Sequence, residues 1–170
     1  MMKKLLLILL CLPMIGCMDT AEEYYNRAHD YYYEDGEYQL SIDNYTKCLR
    51  VDPDYIHAAS AYTSRGRAYY ELGNYQETVA DYTKAIGVNP DYASAHYERG
   101  RTYSDLGDYK LALADFTRAI RIGTEHNDDF DLTLLGAYVG RVSVNKILGN
   151  YRDAAADSRR VREILNSYKE

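Results

Sequence analysis

The chain has 170 residues, 46% hydrophobic and 27% charged, which fits one globular or solenoid domain. Its formal net charge of −6 argues against a nucleic-acid partner and against an electrostatic grip on anionic lipid. With 20 Tyr, 2 Phe and no Trp, tyrosine takes the packing positions of the larger aromatics, and each hydroxyl must reach water or a partner.

At the amino terminus Lys3 and Lys4 precede an apolar run over 5–12, followed by Pro13 and Gly16. That is the order of a secretory signal, and it is shorter than the roughly 20 apolar residues that span a bilayer. Met14-Ile15-Gly16-Cys17 resembles the lipobox of bacterial lipoproteins, with Met14 where Leu is usual. The resemblance implies a signal peptide over 1–16, lipidation of Cys17 and a lipidated tether over 17–21. It implies a place in the bacterial cell envelope. Met18 after the cysteine, rather than Asp, is similar to outer-membrane sorting and hence to the periplasmic face of that membrane in a Gram-negative cell. Two or three acyl chains anchor stably, at about 0.8 kcal/mol per buried methylene. The remaining 154 residues hold 18 basic against 26 acidic side chains, a formal −8. The expected membrane bond is therefore the lipid, not the surface.

From there the chain repeats itself. The segment 58–90 recurs as 92–124: Gly66 falls on Gly100, Tyr69 on Tyr103, Gly73 on Gly107, Tyr75 on Tyr109, Tyr82 on Phe116 and Ala85 on Ala119. Every offset is 34 residues, the period of a solenoid of helix pairs. Gly66 and Gly100 sit inside helical patterns, where glycine costs about 1 kcal/mol against alanine, so a neighbouring helix is expected close by. Gly73-Asn74 and Gly107-Asp108 read as a helix stop followed by an N-cap. Asn89-Pro90-Asp91 reads as an N-cap, a first-turn proline and a carboxylate on the positive helix end.

These positions resemble the motif of the tetratricopeptide repeat family, carried by Gly66, Tyr69, Gly73, Tyr75, Tyr82, Ala85 and Pro90 and copied 34 residues later. The resemblance implies an all-α, right-handed superhelical solenoid of antiparallel helix pairs, with about four repeats and eight helices. In chain order the repeats are expected at about 22–55, 59–92, 93–126 and 135–168, with an acidic insertion over 127–134. The first keeps the pattern from Gly36 onward but has His29 where Gly66 and Gly100 stand, which suits an outermost helix with one neighbour. Cys48 takes the phase of Ala85 and Ala119 and is expected to be small and buried, with no intrachain disulfide. The fourth repeat is degenerate, with 137–151 aligning on 61–75. Beyond it no extra solvating helix remains. Either the polar Asp157-Ser158-Arg159 side takes that role, or the terminal repeat contacts another chain and allows oligomerisation.

No catalytic constellation or metal site is expected, and no cofactor. His29, His57, His96 and His126 are scattered, and no His or Cys pair has ligand spacing. His96, at the phase of Tyr62, is expected to be structural. The family resemblance places the first helix of each pair on a concave groove, whose exposed face would carry Asn26, Asp30, Tyr33, Thr63, Arg67, Tyr70, Tyr97, Arg101, Ser104, Ser143 and Lys146. Arg67 and Arg101 share one phase of adjacent repeats. Two guanidiniums among tyrosines suit a carboxylate or an acidic peptide segment. The competing reading pairs them internally with Glu98, Asp105 or Glu71. The Lys/Asn clamp that binds free carboxyl-terminal peptides in some family members is not matched at these positions.

The expected function is a lipid-anchored adaptor or scaffold for a peptide or protein partner, and not an enzyme. A second reading is a structural subunit of an envelope assembly, such as outer-membrane protein insertion or a pilus or secretion pilotin, using its ends or convex face. A third is a small-ligand-binding accessory of a transport system.

Overall fold

The computed structural model describes residues 19–125 and 132–167. Among them the chain forms eight α-helices and no strand: α1 Ala21–Asp30, α2 Tyr38–Val51, α3 Ala58–Glu71, α4 Tyr75–Val88, α5 Ala93–Asp105, α6 Tyr109–Glu125, α7 Leu132–Ile147 and α8 Tyr151–Ser167. The signal segment, Cys17 and positions 127–131 of the insertion lie outside the described residues. No helix among those described is long and apolar enough to cross a membrane.

The helices pack as the pairs α1/α2, α3/α4, α5/α6 and α7/α8, and each second helix packs on the first helix of the next pair. First helices also touch each other, α3 with α5 and α5 with α7, so they form the inner layer of an all-α solenoid. The turn within each of the last three pairs follows one pattern. At Gly73 the φ is 76°, the Gly73 N–H donates to the Tyr70 carbonyl and the Asn74 N–H to the Tyr69 carbonyl. This is a Schellman ending, which needs the left-handed backbone that glycine supplies without strain. Gly107 and Gly149 repeat it. Asn74 stands at the N-cap of α4 but makes no side-chain capping bond.

The reading of Asn89-Pro90-Asp91 as a helix start is corrected. Asn89 closes α4, its N–H donating to the Ala85 carbonyl, and α5 begins only at Ala93. The Asn89 Oδ1 accepts from the Asp91 N–H at 3.1 Å, an Asx turn that carries the chain between pairs. Two boundaries also differ. Thr20 and Glu23 form a capping box, so α1 starts inside the expected tether. Helix α7 starts at Leu132, inside the expected insertion, because Leu134 is core.

The core runs along one phase of the second helices. Tyr45, Tyr82 and Phe116 are buried, and Gly66 and Gly100 leave room for the last two rings. A Cβ on Gly66 would lie 2.7 Å from the Tyr82 ring, and one on Gly100 3.1 Å from Phe116. Cys48, Ala85 and Ala119 are all buried at one phase.

The first repeat explains its missing glycine by register. Helix α1 runs on through a single π turn, Tyr31–Asp35, which inserts one residue before Gly36. Ala28, not His29, therefore holds the phase of Gly66. Ala28 is fully buried and His29 is exposed. The cation–π contacts agree: Arg27 and Lys47 flank Tyr24 as Arg65 and Lys84 flank Tyr62.

A polar stitch recurs through the other pairs. Arg65 donates from Nε and Nη2 to Asp81 at 2.6 and 2.8 Å, and from Nη1 to Thr46 of the preceding pair at 2.9 Å. Arg99 does the same with Asp115 and Thr83, and Arg141 with Asp157 and Thr117. Each bidentate bridge ties two helices of a pair and its third bond ties that pair to the one before. Asp157 is therefore buried and engaged, so within the Asp157-Ser158-Arg159 stretch it is Arg159 that faces solvent.

Candidate peptide-binding face

The inner layer is built from one side of α1, α3, α5 and α7. Around Arg67 and Arg101 it forms a connected cluster. Arg67 in α3 donates from Nε to Glu98 Oε1 at 2.8 Å and from Nη2 to Ser94 at 3.1 Å. Arg101 in α5 approaches the other Glu98 oxygen at 3.3 Å and lays its guanidinium over the Tyr70 ring, 4.6 Å from the centroid. The Tyr70 hydroxyl donates to Asp105 Oδ2 at 2.6 Å.

One buried carboxylate therefore faces two guanidiniums, hydrogen-bonded to Arg67 and ion-paired with Arg101, so the arginines do pair internally with Glu98. Burial opposes the Arg67 charge, but Glu98 more than offsets this and holds its pKa above that of a free guanidinium. The hydrogen bond to Asp105, together with burial, pushes the Tyr70 phenol up to about 12, so it stays a neutral donor. Arg101 retains 38% of its side-chain exposure and Arg67 28%. Of the two, Arg101 is the one more open to a ligand.

The other expected residues divide. Tyr33 is 55% exposed and packs at a tilt against His29, ring centroids 4.4 Å apart. Ser104 is half-buried on α5. Tyr97 is half-buried too, its ring lying beside Phe116 and against Gly136 of α7, so it packs two first helices together. Thr63 is corrected: it is 1% exposed, and its hydroxyl donates to the Ala59 carbonyl. Asn26 and Asp30 are exposed, but the π turn moves them out of the rows of Thr63 and Arg67. Tyr25 and His29 take those places, and the Tyr25 hydroxyl meets Ser60 of α3 at 2.8 Å. Both were missed because a count back from Gly36 assumes an uninterrupted α-helix. His96 is buried beside Asp115 and the Pro90 carbonyl, a packing role. No group of His, Cys, Asp and Glu among the described residues could hold a metal ion.

Three segments match models of the repeat that this geometry describes: 66–107 a TPR repeat, and 93–122 and 21–55 a tetratricopeptide repeat. The chain is a solenoid of tetratricopeptide repeats. Solved structures of TPR proteins share the fold. The crystal structure of MamA superposes with a TM-score of 0.76 at 21% identity, covering 88% of this chain and 80% of that one. A tetratricopeptide repeat protein from Parabacteroides merdae gives 0.73 at 22% identity, covering 85% and 53%. The first TPR of Spaghetti, solved bound to an HSP90 peptide, gives 0.66 at 22% identity, covering 76% and 94%. No curated protein matches the sequence. At these identities the TPR likeness speaks for the fold.

Proposed function

We propose that this TPR solenoid is a binding module that seats a peptide or protein segment on its inner layer, held at a bacterial envelope membrane through acylated Cys17. The observation that carries the binding reading is the inner cluster, in which Glu98, Asp105 and Ser94 fix Arg67, Tyr70 and Arg101 before any ligand arrives. A face ordered in advance loses little entropy on binding. Spaghetti's first TPR, of the same fold, binds a peptide. The lipobox resemblance motivates the anchor. Because Glu98 neutralises half of the arginine charge, Arg101 and Tyr33 are the contacts expected to matter, not a two-arginine clamp.

The test places a photo-crosslinking residue at Tyr33 or at Leu165 in cells that make the protein. The inner-layer reading expects a partner adduct from position 33, lost on Arg101→Ala while helicity is unchanged. An adduct from position 165 alone would sink it. That result would favour the second reading, a structural subunit of an envelope assembly. Its supporting observation is the exposed apolar trio Val139, Ile147 and Leu165 on the last pair. Labelling of the cell-grown protein with a palmitate analogue, abolished by Cys17→Ser, tests the anchor separately.

A further inference from the structure

Three residues share one phase near the ends of the inner helices: Tyr69 in α3, Tyr103 in α5 and Asn145 in α7. Tyr69 borders the same surface hollow as Ile42 and Thr46 of the second helix before it, and Tyr103 the same hollow as Val79. Asn145 meets the corresponding residues, Leu113 and Thr117 of α6, but offers no ring. The hollow there, about 360 Å³, is similar in size to the two beside the tyrosines, at about 340 and 430 Å³, but it alone is bordered also by Arg141, Asp153 and Asp157 of its own pair.

The sister repeats show what such a place accommodates. Tyr69 sits in the field of Arg65, Asp81 and Glu77. Those three positions recur as Arg141, Asp157 and Asp153, 76 residues on, around the cavity. Tyr103 lies under Arg99, whose guanidinium carbon is 6.0 Å from the ring centroid. The last pair thus keeps the surroundings of the tyrosine and has lost the tyrosine. Asn145 does not fill the room: it is 3% exposed, and its Oδ1 accepts from Asn150 Nδ2 at 3.2 Å, toward the turn.

We infer that this cavity is a binding site for a phenol ring, supplied by a tyrosine side chain of a partner protein. The ring lies along Leu113 and against the Arg141 guanidinium, with the hydroxyl toward Asp153, which stands where Glu77 neighbours Tyr69. The site shares no residue with the inner-layer cluster, so either can fail without the other.

The probe is p-cresol, the tyrosine side chain as a free molecule, titrated into the purified protein and followed by NMR. Expected are saturable shifts of the Leu113 methyls and the Asn145 and Asn150 side-chain amides, with a midpoint on the order of millimolar for so small a ligand. Asn145→Tyr restores the ring from within. It should abolish those shifts and raise the melting temperature by about 2–4 °C. Asp153→Ala, an exposed change that leaves the fold alone, should weaken p-cresol severalfold. Non-saturating shifts spread over the surface, retained p-cresol binding in Asn145→Tyr, or full affinity in Asp153→Ala would each overturn the assignment.

Discussion

Two glycines on adjacent helices should answer the same substitution with opposite signs. A Cβ on Gly66 would stand 2.7 Å from the Tyr82 ring, and that ring is fully buried and has nowhere to go. Gly66→Ala is expected to lower stability by about 1–3 kcal/mol. A Cβ on Gly87, near the end of α4, meets nothing within 4 Å. Gly87→Ala is expected to raise stability by about 0.5–1 kcal/mol, because the unfolded chain loses freedom and the folded one loses nothing. Thermal unfolding of the two variants checks the pair, and shifts of the same sign would discredit the packing account. The period made the special role of Gly66 legible from sequence. It did not say which partner Arg67 would take, because Glu98, Asp105 and Glu71 all lie within plausible reach and only three-dimensional packing singles out Glu98.

At the scale of elements, helix pairs, their order and their glycine turns were readable, since each depends on local pattern and a fixed offset. The π turn was not. It changes the register of α1 by one residue while leaving every aromatic in a credible place, so Ala28 and His29 exchange roles without a local signal. The Arg–Asp–Thr stitch was present in the 34-residue period but carries no short motif, since each Arg–Asp pair is 16 residues apart and the threonine lies 16 to 24 residues before its arginine. It has a pH consequence. Burial alone would raise the Asp115 carboxyl, but hydrogen bonds from Arg99 and His96 outweigh burial and hold it below its ordinary 3.8. The unfolded chain then binds that proton more tightly than the folded one. The stabilisation is complete above the ordinary carboxylate pKa and drains away as pH falls through the folded value. Melting temperature should therefore drop progressively below about pH 4. Asp115→Asn should melt lower at pH 7 and show a shallower acid decline; an unchanged acid slope would remove Asp115 from the explanation.

For the whole molecule, the stitch is not uniform. In the first pair Asn44 stands at the phase of Asp81, its Oδ1 buried without a partner, while Arg27 turns outward to Asp19. A solenoid's stability is a sum over units and their interfaces, so its end units open first and a poorly tied end opens sooner. Hydrogen exchange should be fastest in α1 and α2 and slowest in α5 and α6. Equal protection in α1 and α5 would show that the missing bridge is energetically silent.

The same stitch also has a direction, since each arginine reaches backward to a threonine supplied by its predecessor. A tandem duplication of the middle unit would arrive with both halves of the joint in hand, which is how such an array can lengthen by copying. The far end refuses that extension. Two residues beyond Asp157, where the earlier units present Thr46, Thr83 and Thr117, the chain carries an exposed Arg159. A further unit of the same kind would bring guanidinium against guanidinium, so this array carries its own stop codon in charge.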